Sequence, residues 1–251
     1  MKFDLLNIKL SKNDIKRGLI LPTQSSKELA EFLGILTGDG YLNFYSDQYK
    51  YLIEIYGDSR LDKNYLESYV TSLVKKLFNL VATTHKKKDQ NSLCLRLISK
   101  GLVNYLVYVG FKKGRKEQIG IPNWINSSRN YMFSFIKGLA DTDCSIHYRK
   151  DYPIISFTSK SEVLVSEVFN FLKQEGFLTK NYYKETRHDV RFKSPSIVYR
   201  LRLNGRENLR LWFKYIYFRN KRHLIKIKKW DLRNLNPRFR RMHLSLHPSP
   251  T

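Results

Sequence analysis

The sequence predicts an α+β fold made of two similar halves in tandem. Three observations carry this: an internal repeat, apolar spacing that alternates between helical and strand periods within each copy, and a 42% hydrophobic content sufficient for a core. Residues 28–40 read ELAEFLGILTGDG and residues 131–144 read YMFSFIKGLADTDC, each an apolar helical pattern with a glycine midway and a small residue followed by Asp near its end. Aligning Gly34 with Gly138 places Thr37 on Asp141, Gly38 on Thr142 and Asp39 on Asp143, 104 residues apart. Leu95-Arg96-Leu97 recurs 106 residues later as Leu201-Arg202-Leu203, and each copy precedes a helix-like stretch, residues 102–109 and 209–218. With second helices expected over residues 65–78 and 163–174, each half reads α-β-β-α-β-β-α.

The elements follow in order. Residues 1–27 read as an amino-terminal extension, 28–121 as the first half, 122–230 as the second and 231–251 as a basic tail. Ser25 and Glu28 stand three apart ahead of the first apolar run, the spacing of a capping box, so helix one should begin near Ser26. Within it Leu29, Phe32, Leu33 and Leu36 form an apolar stripe, while Gly34 and Gly38 leave two bare backbone positions on one face. A mid-helix glycine costs about 1 kcal/mol against alanine. Close approach of a second helix compensates, and Gly138 and Thr142 repeat the spacing, so a helix–helix seam about a pseudo-twofold axis is expected. Residues 110–130, with Gly114, Gly120, Pro122 and a Ser-Ser pair, read as a linker with turns.

Lys and Arg number 46 against 22 acids, a formal charge of +24 that calls for a polyanionic partner. The basic residues are spread along the chain rather than gathered on one amphipathic helix, which favours nucleic acid over a membrane surface. No apolar run is long enough to span a bilayer and no secretory signal opens the chain, so an intracellular protein is expected. The two cysteines, Cys94 and Cys144, form no Cys-x-x-Cys pair and no zinc-spaced cluster, which disfavours a disulfide framework and a structural zinc site.

Side-by-side packing of the two glycine helices would make Asp39 and Asp143 neighbours. Two carboxylates at that distance need a cation or a shared proton. Mg²⁺ takes such hard oxygen ligands together with water and phosphate oxygens, and the helix-end carbonyls of Gly38 and Thr142 would extend the same shell. An ion there would bind the scissile phosphate, activate water and stabilise the leaving oxygen.

Residues 32–40, FLGILTGDG, and 136–144, IKGLADTDC, resemble the paired motifs of the single-chain LAGLIDADG homing endonucleases, over roughly residues 28–230. The resemblance implies motif helices at an interface and two saddle-shaped antiparallel sheets lying along the DNA major groove. It also implies hydrolysis of both strands of a long asymmetric site, with Asp39 and Asp143 as the metal-binding acids and Mg²⁺, or Mn²⁺ in its place, as the ion. Two departures stand out: Thr37 replaces the family's first acid, and Cys144 replaces the closing glycine and so asks for backbone angles a non-glycine tolerates. The family also places a basic residue of each half near the metals. Lys116, 77 residues after Asp39, and Lys221, 78 after Asp143, match that spacing and would stabilise charge on the phosphate or polarise water. Asp58 and Ser159 hold the matching places, at the ends of the second strands, for a water-orienting polar group.

Strand alternation groups Ser145, His147 and Arg149 on one face, and Tyr41, Asn43 and Tyr45 in the first half. Arg96, Arg200 and Arg202 alternate with leucines, as in a sheet with one face on a core and one polar. Arginine pairs with guanine and Asn with adenine, and β-ribbons enter the major groove, but base and phosphate contacts remain open for each residue. Lys86, Lys87 and Lys88 in one half and Lys180, Tyr182, Lys184, Arg187 and Arg191 in the other occupy matching second-hairpin regions expected to touch DNA.

The expected function is that of a monomeric, metal-dependent endonuclease of double-stranded DNA. The nearest alternative on the same fold is an RNA maturase acting on its own intron RNA, and a further one is a cleavage-inactive DNA-binding regulator. Retention of both Asp39 and Asp143 favours cleavage. The chain starts at Met1 and ends in His-Pro-Ser-Pro-Thr, without an amino-terminal Cys or Ser nucleophile or a terminal His-Asn, so a free-standing or intron-encoded enzyme is expected rather than an intein fragment.

Overall fold

The structure is a computed structural model and describes residues 1–45, 48–86, 90–114, 116–188, 195–228 and 231. It divides into two compact units, Met1–Thr142 and Asp143–Thr251. The first contains α1 (Lys12–Lys16), α2 (Lys27–Asp39), β1 (Gly40–Tyr45), β2 (Lys50–Asp58), a π-helical stretch (Tyr65–Val70) running into α3 (Thr71–Phe78), β3 (Thr83–Lys86), β4 (Ser92–Ile98) and α4 (Lys100–Tyr108). It continues through a 3₁₀ turn (Lys116–Gln118), α5 (Asn123–Asn126) and α6 (Arg129–Asp143), whose last residue opens the second unit. The second unit contains β5 (Cys144–Arg149), β6 (Tyr152–Ser159), α7 (Glu162–Gln174), β7 (Tyr182–Arg187), β8 (Ser196–Asn204), α8 (Arg206–Tyr215) and α9 (Lys221–Leu224).

Each unit holds one antiparallel four-stranded sheet, ordered β1-β2-β4-β3 and β5-β6-β8-β7, so the expected α-β-β-α-β-β-α order and the α+β class are both observed. In the first unit Leu42, Ile53, Ile55, Leu95 and Leu97 point into the core, where Phe32 of α2 meets Phe78 of α3 edge-on at 5.2 Å. In the second, Ile146, Ile155, Phe157, Leu201 and Leu203 are buried, together with Leu164 and Val168 of α7 and Trp212 of α8. Burying one such side chain contributes roughly 1.5–3 kcal/mol. The opposite face of each sheet is the polar one.

Helix α2 is capped one residue later than the capping box suggests. Ser26 accepts the Leu29 N–H at 3.1 Å, whereas the Ser25 hydroxyl receives the Met1 ammonium at 2.6 Å. The Glu28 carboxylate is instead paired with Lys76 at 2.6 Å. The expected seam is present within the first unit, where α2 and α6 run parallel: Tyr131 Oη donates to Ser25 O at 3.2 Å, and Lys137 pairs with Glu31 at 2.9 Å. Farther along, a Cβ added to Gly34 would strike the Phe135 carbonyl oxygen and one added to Gly138 the Glu31 carbonyl oxygen. Backbone therefore meets backbone, and only glycine fits at either place. The Glu31–Lys137 pair is buried, and Glu31 also accepts from Tyr69 Oη of the π-helical stretch. These two residues do not occupy equivalent repeat positions, so they fix which helix pairs with which.

The amino-terminal segment is built into the first unit. Lys2 bridges Gln24, Phe3 is buried against Trp124 at 5.7 Å, and α1 carries the fully buried Asp14. Asp14 caps its own helix through Ser11, accepts from Ser99 Oγ at 2.6 Å and from the Gly101 N–H at 3.0 Å, and pairs with Arg17 at 3.0 Å. The linker region likewise contains α5, whose Trp124 Nε1 donates to Val109 O at 2.9 Å. In the presumed basic tail, Asp231 is buried and receives Tyr148 Oη at 2.8 Å and Arg206 Nε at 3.2 Å. None of these three features has the long periodic run by which sequence patterns reveal structure.

Two stability predictions follow from these contacts. Gly34→Ala and Gly138→Ala should each destabilise the protein by about 1–3 kcal/mol in denaturant unfolding, because overpacking outweighs the helix-propensity gain. A gain of about 1 kcal/mol, as at an exposed helical glycine, would contradict the seam. For Asp14, burial opposes the charge, but the hydrogen bonds from Ser99, Gly101 and Ser11 outweigh it and bring the pKa down from 3.8 to about 2. A depressed carboxyl pKa stabilises the fold above the unfolded value and loses that contribution as pH falls through the folded value. The stability gap between parent and Asp14→Asn should therefore shrink by roughly 2 kcal/mol between pH ~5 and pH ~1.5, and a pH-independent gap would overturn the assignment.

Candidate functional site

Asp39 is the last residue of α2 and Asp143 the last of α6, and each is half-buried and hands over directly to the first strand of a sheet. At the first handover Gly40 has ordinary extended angles, φ −82° and ψ 154°. It is glycine for lack of space, since a Cβ would collide with the Leu36 carbonyl oxygen. Cys144 at the second handover is buried in β5 opposite Phe157 and is not among the positive-φ residues, so the closing position needs no special angles. Thr37 donates its hydroxyl to Leu33 O at 2.8 Å, and Thr142 returns its own to Leu139 O at 2.9 Å.

Lys116 is brought to the end of α2, where its ammonium donates to the Gly38 carbonyl, one residue before Asp39. That interaction engages the carbonyl expected to help bind a metal. Lys221 is exposed at the first position of α9, which Asn220 caps through the Arg222 N–H at 3.2 Å. Asp58 ends β2 half-buried, and its carboxylate accepts from the Arg60 and Leu61 N–H groups and from the Arg60 guanidinium. The Arg60 bonds hold its pKa far below the ordinary carboxylate range. Ser159 ends β6 and accepts the Ser161 N–H at 3.2 Å. Among the described residues no three His, Cys, Asp or Glu side chains cluster to form a metal cage.

The polar face of the first sheet contains Tyr41, Asn43 and Tyr45, as alternation predicts. Asn43 donates to Tyr41 Oη at 2.9 Å, and the two phenols lie 3.3 Å apart. The register aligns Tyr41, Glu54, Arg96 and Thr83 in one cross-strand row. Arg96 pairs with Glu54 through Nη2 at 2.6 Å and Nε at 2.8 Å. Glu54, set between Leu52, Ile53 and Ile55 in an otherwise apolar run, is the residue sequence reasoning passed over; an acid interrupting such a strand was the available signal.

On the second sheet Ser145, His147 and Arg149 are exposed and Cys144 and Ile146 buried, which matches the expected alternation. Arg202 lies opposite Ser156, and Arg200 opposite Thr158 and Tyr183. Glu185 joins the two arginines, at 2.9 Å from Arg200 and 3.9 Å from Arg202, and Arg202 stacks over Tyr183 at 5.1 Å. Tyr182 and Lys184 fall on the other face. Tyr182 packs edge-on against Phe169 of α7 at 5.6 Å, so the β7 register puts Tyr183 rather than Tyr182 beside the arginines. Lys86, Lys180 and Arg187 are exposed; Lys87, Lys88 and Arg191 lie outside the described residues.

A family profile described as LAGLIDADG-like domain matches residues 130–217. The first unit repeats the strand order of that domain. The fold is similar to that of the homing endonuclease I-DmoI, which, solved as mesophilic variants and in complex with DNA and Mn, superposes with a TM-score of 0.51 at 19% identity, over 76% of this chain and 95–96% of that one. Other I-DmoI structures contain DNA with Ca (TM-score 0.51, 20% identity, 76% of this chain and 88% of that one) or target DNA with Mg (0.50, 18%, 76% and 96%).

Sequence relatives include a DNA polymerase of Thermococcus sp. (strain GE8), 28% identical over 63% of this chain and 9% of that protein. The tRNA-splicing ligase RtcB of Methanopyrus kandleri is 25% identical over 72% and 20%, and the replication factor C small subunit of Methanocaldococcus jannaschii 24% over 80% and 10%. The matches span a fifth or less of these curated relatives. Among the described residues no helix is long and apolar enough to cross a membrane.

His147 illustrates the electrostatics of the polar face. Loss of surrounding water, and then Arg202, Arg200 and Lys226, hold its pKa below the ordinary 6.5. An NMR titration should find its midpoint under 6.5, moving upward in Arg202→Ala; a midpoint above 6.5 would mean the arginines do not bear on it.

Proposed function

We propose that the chain is a site-specific homing endonuclease, acting as a monomer, that makes metal-dependent double-strand cuts in a long asymmetric DNA target. The observation that carries this is the pair of half-buried aspartates, each five residues past its seam glycine and each leading into a sheet with a basic, polar face. In this reading the two carboxylates act together. The relatives bear three different activities in their names, and no one activity accounts for the part they share with this chain. A mobile nuclease domain carried in frame within those proteins would account for it, and I-DmoI has a similar fold.

The donor set suits a hard divalent cation. Asp39 and Asp143 supply one carboxylate each, and DNA phosphate supplies further oxygens, which is how Mg²⁺ is usually held and which Mn²⁺ also accepts. When bound, the ion would polarise the scissile phosphate and lower the pKa of water. Lys116, held at Gly38 O, and Lys221 of the second unit would neutralise charge on the phosphate, and Asp58 and Ser159 would orient water. The polar faces would lie against DNA, with Tyr41, Asn43, Tyr45, Arg96, Ser145, His147, Arg149, Arg200 and Arg202 toward the bases and the exposed lysines and Arg187 toward phosphates.

The test is a randomised duplex-DNA library incubated with the parent, Asp39→Asn, Asp143→Asn and the double variant, with and without Mg²⁺, followed by sequencing of bound and cut molecules. The parent should cut both strands at one sequence only with metal, and each single variant should be slower by about 100-fold or more while still binding. Enrichment of a sequence that the parent binds and never cuts would reject the nuclease in favour of a DNA-binding regulator. Preference for intron RNA without any DNA enrichment would indicate a maturase.

A further inference from the structure

Glu54 is an acid in the middle of a face expected to meet a polyanion. It is 4% exposed and both of its oxygens are engaged: Oε1 accepts Arg96 Nε at 2.8 Å and Nη2 at 2.6 Å, and Oε2 accepts Tyr56 Oη at 2.7 Å. Arg96 and Tyr56 outweigh burial and hold the Glu54 pKa below its ordinary value, so the acid stays charged at neutral pH. A carboxylate on an arginine gains nothing for phosphate binding, because it cancels the charge that would displace counterions. It does fix the guanidinium plane.

The bonds to Glu54 use the Nε–H and one Nη2 hydrogen, which leaves both Nη1 hydrogens and the second Nη2 hydrogen of a side chain still 32% exposed. The Nη1/Nη2 fork is the one that matches O6 and N7 of guanine. The cross-strand row sets Arg96 on β4, between β2 and the edge strand β3, within the sheet rather than on its rim. In the second sheet Glu185 is shared unequally between two arginines, and the Arg200 Nε goes to Thr158 Oγ1 at 3.3 Å, so the Glu185 carboxylate does not take one guanidinium through both Nε and Nη2 as Glu54 takes Arg96.

We propose that Arg96 reads one guanine of the DNA target and that Glu54, braced by Tyr56, is the residue that positions it. This rests on the DNA-binding reading above and adds the base, the reader and its support.

The experiment selects bound sequences from a randomised duplex library with the full chain and with Arg96→Ala, Arg96→Lys and Glu54→Gln, with affinity measured across a salt series. Thermal unfolding of each variant is compared with the parent, and Glu54→Gln is isosteric. Expected is one strongly specified guanine in the parent site, relaxed by about tenfold or more in Arg96→Ala and Arg96→Lys while the other positions keep their preferences. Glu54→Gln should bind DNA at least as tightly as the parent and lose preference at that same position. A uniform loss across all sequences in Arg96→Ala, with a shallower salt slope, would make Arg96 a phosphate contact and overturn the proposal. A guanine preference intact in Glu54→Gln would overturn the positioning role. A parent that enriches no DNA would remove the DNA-binding reading itself, a result distinct from either of these.

Discussion

The contact between the α2 and α6 backbones at Gly34 and Gly138 is the constraint on which the rest of the structure depends. At ordinary helix–helix spacing side chains interdigitate; here a single added carbon on either helix would collide with a carbonyl oxygen of the other. Two mid-helix glycines cost about 2 kcal/mol of helix propensity together, and the dense buried seam offsets them. Ser25 with Tyr131 and Glu31 with Lys137 set the direction and register of the two helices. A slip by one residue would bury Glu31 and Lys137 apart from each other, an arrangement far more costly than the pair itself.

The sheets apply a second constraint, the two-residue alternation of side chains. One face of each is apolar and covered by helices, so the other can be polar without loss of core. That polar face is not uniformly basic despite the chain's charge of +24. Glu54 and Glu185 pair with arginines there, while many lysines lie on exposed edges and turns. A surface meant only for nonspecific attraction would have no use for acids paired with its arginines, whereas one that must hold a few side chains in fixed poses would.

The repeat, both glycines, both aspartates and the alternation along β1, β4, β5 and β8 were legible in the sequence because each is a short-range pattern with a fixed period. The Tyr182/Tyr183 ambiguity was not, because both neighbours are tyrosines and only the pairing of Tyr183 with Arg200 settles the face. The place of Asp14 was equally hidden: its partners Ser99 and Gly101 are more than 80 residues away in the chain. The π-helical turn that brings Tyr69 to Glu31 leaves an apolar pattern indistinguishable from an ordinary helix. Lys116 was found by counting from Asp39, and its bond to the Gly38 carbonyl gives that spacing a physical content.

The proposed function turns on Asp39 and Asp143 binding metal together. The most direct measurement loads the protein with Fe²⁺ in place of Mg²⁺, adds ascorbate and peroxide, and maps the resulting backbone breaks by mass spectrometry. The account predicts breaks close to both Asp39 and Asp143, suppressed by excess Mg²⁺ and lost at both positions in the double Asp→Asn variant. Breaks near only one aspartate, or scattered breaks that Mg²⁺ does not suppress, would contradict it.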